Sequence, residues 1–124
     1  MENLYISSTI KTPLIDFKTN GELLIKGIST PEDVVEFYEP IYKWINQFKS
    51  TKKDITFTLY IEYLNTSSSS TIIDLILKLK HLREERVKVN FIWKYDHDDD
   101  DMLEMGEDIE LITNTKFEFK PVSN

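Results

Sequence analysis

Two segments in which apolar and polar residues alternate, with a segment of helical spacing between them, constrain the fold of this chain most. Residues Asp54–Tyr63 and Val87–Tyr95 each place apolar side chains on one face and polar ones on the other, as a strand with one face in a core does. Between them, apolar residues recur at helical spacing from Ile72 to Leu82. A strand–helix–strand unit of this kind forms a right-handed parallel crossover with its helix on the sheet. The pattern therefore predicts a sheet with parallel strands at its centre.

The sequence of the N-terminal part of the chain predicts two strands and a helix. The short β-rich runs Thr12–Phe17 and Glu22–Ile28 flank an Asn-Gly pair, which is a strong hairpin signal. A helix follows, for which we predict Thr30 as the N-cap and Pro31 as the first helical residue. Because proline removes a backbone donor inside a helix, we expect Pro40 to kink this helix or to divide it in two.

The C-terminal part adds a helix and a strand. Apolar spacing predicts a helix from about Asp99 to Leu111, and Lys116–Lys120 is a plausible last strand. The predicted order is ββαβαβαβ, a mixed α/β sheet with helices packed on it. A ferredoxin-like α+β sandwich is the alternative topology.

The charge balance narrows the classes of partner. The chain has 22 acidic and 15 basic residues, a formal charge of -7 and a pI near 4.8. Such a surface repels phosphate backbones and anionic lipids, so we expect no nucleic acid and no membrane as partner. The chain has no cysteine, which excludes disulfides and thiol nucleophiles, and no apolar run approaches the ~20 residues that span a bilayer. We expect a cytoplasmic single domain, residues 1–124, without a cofactor or a bound metal.

A run of hydroxyl residues lies between the first strand and the helix of the central unit. Thr66–Thr71 consists of serine and threonine only, and Asn65 precedes it. The run is predicted as a loop at the carboxyl end of a strand, where open α/β sheets expose their functional loops. One hydroxyl is needed to cap the helix, and the others are either solvated or a regulatory phosphorylation site. The run has no glycine and no P-loop lysine, which excludes a Gly-rich phosphate cradle.

The same junction carries a family resemblance. Leu64–Ser68 resembles the Asp-Ser-Ser-Gly junction of STAS-domain anti-sigma-factor antagonists (SpoIIAA-like). The longer motif Tyr63–Ser68, with the sequence Tyr-Leu-Asn-Thr-Ser-Ser, resembles the SiaC family of regulatory phosphoproteins, which are single STAS-like domains. Asp99–Glu107 and Trp44 also match that family.

The resemblance implies a non-enzymatic switch. A serine/threonine protein kinase would phosphorylate Thr66, with Ser67 and Ser68 as alternates, and a PP2C-type phosphatase would remove the phosphate. The unphosphorylated form would bind and activate a diguanylate cyclase in cyclic di-GMP and biofilm signalling. The partner-binding residues implied are Leu64, Asn65, Thr66, Ser67, Ser68 and Asp99.

The acidic stretch Asp96–Asp101 is open to three interpretations. Carboxylates suit Mg²⁺ or Ca²⁺, but the spacing is not that of an EF-hand loop. The stretch otherwise solvates a loop and favours the start of the next helix, or it docks a basic partner. A hydrolytic Ser67–His97 or Ser68–His97 pair can be written, although serines and aspartates are too numerous here for that to be specific.

Three functional hypotheses follow. The first is the phosphorylation-controlled interaction protein. The second is a constitutive scaffold, and the third is a divalent-metal-dependent enzyme that uses Asp96–Asp101.

Overall fold

The computed structural model describes residues 1–123. Its strands and helices follow one another in the order βββαβαβαβ, so one strand precedes the eight elements that the sequence predicts. The elements are β1 Leu4–Ile6, β2 Leu14–Phe17, β3 Glu22–Ser29, α1 Val34–Phe48, β4 Ile55–Leu64, α2 Thr66–His81, β5 Val89–Asp96, α3 Asp100–Thr113 and β6 Glu118–Val122.

All six strands form one mixed sheet in which they lie side by side in chain order. The pairs β1–β2 and β2–β3 are antiparallel, and the pairs from β3 to β6 are parallel. The predicted parallel crossover between β4 and β5 is therefore confirmed. The ferredoxin-like alternative is wrong, because a split βαβ unit places another strand between the two that its helix connects, whereas β4 and β5 are direct neighbours.

The three helices cover one face of the sheet. Alternate strand residues such as Ile15, Ile25 and Phe57 are fully buried with the inner sides of the helices. The residues between them, such as Asp16 and Thr56, stay outside this core. Trp44 and Trp93 lie in the core, as their apolar surroundings predict. Within residues 1–123, no helix is long and apolar enough to cross a membrane.

Helix α1 begins later than the sequence indicates. Asp33 is its N-cap and accepts a hydrogen bond from the backbone N–H of Glu36 at 3.0 Å. The prediction of Thr30 as cap and Pro31 as first helical residue is wrong, since the helix begins at Val34 and the hydroxyl of Thr30 is directed at the carbonyl oxygen of Lys11 at 3.4 Å. The helix continues through Pro40 as one element, so the predicted division into two helices is wrong as well.

Strand β1 was missed by sequence reasoning because it has only three residues. It pairs with β2, and the chain two residues before it is held by α1, since the indole N–H of Trp44 donates to the carbonyl oxygen of Glu2 at 2.8 Å. A buried side chain thus fastens an edge strand whose own pattern is too short to detect.

A β-bulge changes the alternation near the end of β4. The register to β3 shifts at this point, so that Ile61 faces Gly27, Tyr63 faces Ile28, and Glu62 is the extra residue. Both Glu62 and Tyr63 are exposed, and Leu64 returns to the core. Bulges of this kind are common beside functional sites, where they redirect a side chain.

Candidate functional site

The junction between β4 and α2 is built around Asn65. Its side-chain oxygen accepts a hydrogen bond from the backbone N–H of Ser68 at 2.9 Å, which makes Asn65 the N-cap of α2. The helix therefore starts at Thr66, and the hydroxyl run forms its first turns. The prediction of a hydroxyl loop is corrected here, because the side chain of Asn65 caps the helix through the amide of Ser68 and allows the serines to be helical.

The hydroxyl residues of this first turn differ in accessibility. Thr66 and Ser67 are exposed, and Asn65 is half-buried. Ser68 is fully buried and Leu64 is nearly so. The expectation that all five residues of this segment line one contact surface is thus wrong for Leu64 and Ser68, whose side chains face the core.

Ser68 belongs to a buried chain of hydroxyl groups. The Oγ atoms of Ser68 and Ser29 are 2.8 Å apart, and the Oγ of Ser29 is 2.7 Å from the Oη of Tyr38. This chain links the first turn of α2 to the end of β3 and to α1. Burial raises the pKa of Tyr38 to about 12, so its hydroxyl stays protonated and available to the chain near neutral pH.

A second contact joins the same two helices. The hydroxyl of Tyr42 donates to a carboxylate oxygen of Asp74 at 2.6 Å. Burial and the neighbouring carboxylate raise the pKa of Tyr42. The hydroxyl chain at the start of α2 and this bond near its middle hold α2 against α1.

Exposed apolar side chains lie at the same edge of the sheet as Thr66. Ile10 is 86% exposed, Val35 75% and Tyr63 53%. The turn before β2 is held against the end of β3 by the bond from Thr30 to Lys11, and the amide of Asn65 donates to the carbonyl oxygen of Ser29 at 3.2 Å. We call the surface of Ile10, Val35, Tyr63, Thr66 and Ser67 the edge patch.

The acidic stretch also lies at this edge, since β5 runs parallel to β4 and both end there. Asp99 is the N-cap of α3 and accepts from the backbone N–H of Met102 at 3.1 Å. Asp96 accepts a hydrogen bond from the hydroxyl of Tyr60, and this bond raises the pKa of Tyr60. Two of the aspartates therefore have structural roles.

The same stretch gives no support to the metal hypothesis. Nowhere in residues 1–123 do three or more His, Cys, Asp or Glu side chains converge to hold a metal ion. The ring of His97 is 3.3 Å from the carbonyl oxygen of Val122, and its backbone N–H donates to the same oxygen at 3.0 Å. His97 is thus bound to the end of β6 and not to Ser67 or Ser68.

Comparison with known proteins identifies the family. The model of the SiaC family regulatory phosphoproteins matches residues 6–122. The chain belongs to this family. The family consists of regulatory phosphoproteins, and this member is a regulatory protein and not itself an enzyme. The metal-dependent enzyme hypothesis is thereby set aside.

Individual SiaC relatives share both sequence and fold. An uncharacterised protein of Pseudomonas aeruginosa strain UCBPP-PA14 is 29% identical over 111 residues, which is 87% of each chain. The crystal structure of apo-SiaC from P. aeruginosa has a TM-score of 0.85 at 27% identity and 98% coverage of both chains. A chain in the crystal structure of the diguanylate cyclase SiaD in complex with its activator SiaC, also from P. aeruginosa, has a TM-score of 0.87 at 26% identity. That alignment covers 98% of this chain and 99% of the other.

The sequence predicts a site at the junction of β4 and α2, but it does not show two residues that the structure brings to this junction. Ser29 and Tyr38 complete the buried hydroxyl chain, and they are 39 and 30 positions from Ser68. The only sequence signal was the hydroxyl of Tyr38 inside the apolar stripe of α1, which is equally typical of an ordinary core tyrosine, and Ser29 gave no signal.

Proposed function

We propose that this protein binds a diguanylate cyclase through the edge patch when Thr66 is unmodified, and releases it when Thr66 is phosphorylated. The observation that carries the proposal is that Thr66, the first residue of α2, has an exposed side chain. It follows exposed Tyr63 by three residues. SiaC of P. aeruginosa activates the diguanylate cyclase SiaD and forms a complex with it. Shared family and fold support the same class of client for this chain.

A serine/threonine protein kinase would add the phosphate to Thr66, and a PP2C-type phosphatase would remove it, both in the cytoplasm. The exposed hydroxyl of Thr66 is accessible to such enzymes, whereas that of Ser68 is held in the buried chain. A phosphate in the first turn of a helix is favoured by the helix dipole, so the modified protein keeps its fold.

The phosphate blocks binding through charge and hydration. It adds about −1.5 to −2 charges to the edge patch. A partner that covers Ile10, Val35 and Tyr63 would have to remove water from this group, which costs several kcal/mol for an unpaired charge. Exposed Asp100 and Asp101 at the same edge add repulsion and offer the phosphate no cation.

Variants of Thr66 test the proposal in a titration calorimeter against the diguanylate cyclase from the same genome. Thr66→Ala is expected to bind like the unmodified protein. Thr66→Asp, which adds one charge, is expected to bind at least ~10-fold more weakly, about 1.4 kcal/mol. Ser70→Asp is the matched control, because Ser70 is exposed one turn further along α2 and lies outside the edge patch. Equal affinities for Thr66→Ala and Thr66→Asp would instead support the constitutive scaffold.

Phosphopeptide mapping of the protein from its native cells tests the modification itself. Phosphate is expected on Thr66 and is expected to disappear in Thr66→Ala. Phosphate that persists on Ser67 would move the acceptor by one residue and keep the mechanism. Phosphate on Ser68 in the folded protein would contradict the role that burial gives to that side chain.

A further inference from the structure

The face of the sheet opposite the helices carries a row of lysines. Register pairs place Lys26, Tyr60, Lys94 and Lys120 side by side across β3, β4, β5 and β6. Neighbouring strands are about 4.8 Å apart, so this lysine row spans roughly 15 Å. None of the three helices covers this face, because all of them pack on the other one.

The lysine row is unusual for so acidic a chain. Helix α3, on the opposite face, has six carboxylates and no basic residue. Lys94 and Lys120 are directly paired on adjacent strands, an arrangement of like charges that destabilises a sheet. The loose contact between Lys120 and Glu118 at 3.7 Å offsets this cost only in part, and an external anion would offset it further.

The lysines have few internal partners. Among residues 1–123, neither Lys26 nor Lys94 has a carboxylate within 4.0 Å, while Lys120 has a loose contact with Glu118 at 3.7 Å. Lys26 lies over the ring of Tyr60, 5.5 Å from its centroid, and the hydroxyl of Tyr60 is fixed by Asp96. The row therefore presents at least two unpaired ammonium groups around an oriented aromatic ring.

We propose that the lysine row docks an acidic segment of a partner protein, with carboxylates about 5–10 Å apart that pair with Lys26, Lys94 and Lys120. A shallow concavity of about 290 Å³ beside Lys94 gives the segment room. Asp16 and Glu22 border that concavity, so a nucleic acid, with a charge on every residue, is repelled there more strongly than a segment whose carboxylates are spaced to meet the lysines. Two copies of a chain with charge -7 repel each other, which disfavours a second copy as the occupant.

The lysine row shares no residue with the edge patch, and its proposal does not rest on phosphorylation of Thr66. The acidic segment belongs to the diguanylate cyclase or to another protein, and the chemistry of recognition is the same. Failure of the Thr66 experiments would not contradict the proposal for the lysine row. Failure of the lysine experiments would not contradict the proposal for Thr66.

Amide chemical shifts of the ¹⁵N-labelled full chain test the inference at low ionic strength. The probe is a decapeptide of alternating Glu and Ala, and the control peptide replaces each Glu with Gln. We expect the Glu peptide to shift the amides of Lys26, Tyr60 and Lys94 and to leave those of α3 unchanged. Binding by both peptides alike, shifts confined to other residues, or no shifts at all would overturn the proposal.

Variants show which lysines are responsible. The double variant Lys26→Gln/Lys94→Gln is expected to weaken binding at least ~5-fold, since two charge contacts are lost. Lys43→Gln is the matched control, because Lys43 is an exposed lysine of α1 in the other layer, paired with Glu39 at 2.9 Å. The spectra also report whether each variant is folded. Equal affinities for the two variants would contradict the assignment.

Two further probes decide the class of occupant. A single-stranded DNA of ten thymidines that binds the lysine row more tightly than the Glu peptide would make this face a nucleic-acid site and overturn the proposal. A dimer that sedimentation velocity detects in the unaltered protein but not in Lys26→Gln/Lys94→Gln would identify a second copy as the occupant. That result would also overturn the proposal. A monomer that binds only the Glu peptide supports it.

Discussion

Gly106 has no side chain to clash with Trp93, and α3 approaches the sheet closely as a result. A Cβ built at Gly106 would lie 2.5 Å from the indole nitrogen of Trp93 and 2.6 Å from the adjoining ring carbon. The indole N–H in turn donates to the carbonyl oxygen of Met102 at 2.9 Å, one turn earlier in α3. A single glycine thus allows the largest buried side chain to pack and hydrogen-bond beneath the helix.

Gly106→Ala is expected to destabilise the protein. Helix propensity alone would favour alanine by about 1 kcal/mol. Overpacking against a buried ring costs about 1–3 kcal/mol, and Trp93 has no free space to move into because it is fully buried. We expect a net loss of about 1 kcal/mol in urea unfolding. The neighbouring Glu107→Ala is exposed and should change stability by less than about 0.5 kcal/mol; a stabilised Gly106→Ala would contradict the close contact.

The hydroxyl run shows how far an element can be read from sequence. The apolar stripe from Ile72 onward correctly predicted α2, since burial follows helical spacing. The six residues before it read as a loop, because serine and threonine favour caps and turns over helix interiors. What makes them helical is the cap on Asn65 and the buried bond from Ser68 to Ser29. The second of these is a contact between residues 39 positions apart, which a local pattern cannot contain.

The strands also divide into those that the local sequence predicts and features that depend on tertiary pairing. The alternation in residues 54–63 and 87–95 predicted β4 and β5, and the Asn-Gly pair marked the turn between β2 and β3. Strand β1 and the bulge at Glu62 were not predictable, since the first is short and the second is set by its pairing with β3. The exposed position of Tyr63 at the edge patch follows from that bulge. The positions of site residues that depend on tertiary pairing therefore could not be predicted from the sequence.

Removal of the cap tests the start of α2 as an element. Asn65→Ala deletes the acceptor for the amide of Ser68 and is expected to cost about 1 kcal/mol, within the 0.5–2 kcal/mol range of such caps. The first turn that holds Thr66 should then fray, with faster hydrogen exchange at residues 66–69. Asn46→Ala on the exposed side of α1 is the control and should leave exchange in α2 unchanged. Unaltered exchange in Asn65→Ala would mean that the buried hydroxyl chain alone holds the turn.

Across the whole molecule, the buried tyrosine makes stability depend on pH in the alkaline range. The pKa of Tyr38 is about 12 in the folded protein and 10.0 in an ordinary setting. Between these values the unfolded chain loses a proton that the folded chain keeps. The free energy of unfolding therefore falls as pH rises above about 10, by at most about 1.4 kcal/mol per pH unit for this group, and Tyr38 adds no pH dependence below it.

Urea unfolding at pH 9, 10 and 11 measures this slope. Tyr38→Phe is expected to be less stable at pH 9, because Ser29 loses a hydrogen-bond partner, and to have a shallower decline above pH 10. Tyr5→Phe, on exposed β1, is the control and should keep the original slope. Identical slopes in Tyr38→Phe and the unaltered protein would contradict the raised pKa.

The order of strands across the sheet has a consequence for synthesis on the ribosome. Each strand pairs with the one made just before it, from β1 to β6. A nascent chain that emerges at about 5–20 residues per second can add each strand to the growing edge as soon as it appears. Pairing partners are then close in the chain, which keeps the entropy of loop closure small and favours rapid folding. No strand has to be inserted between two that have already paired.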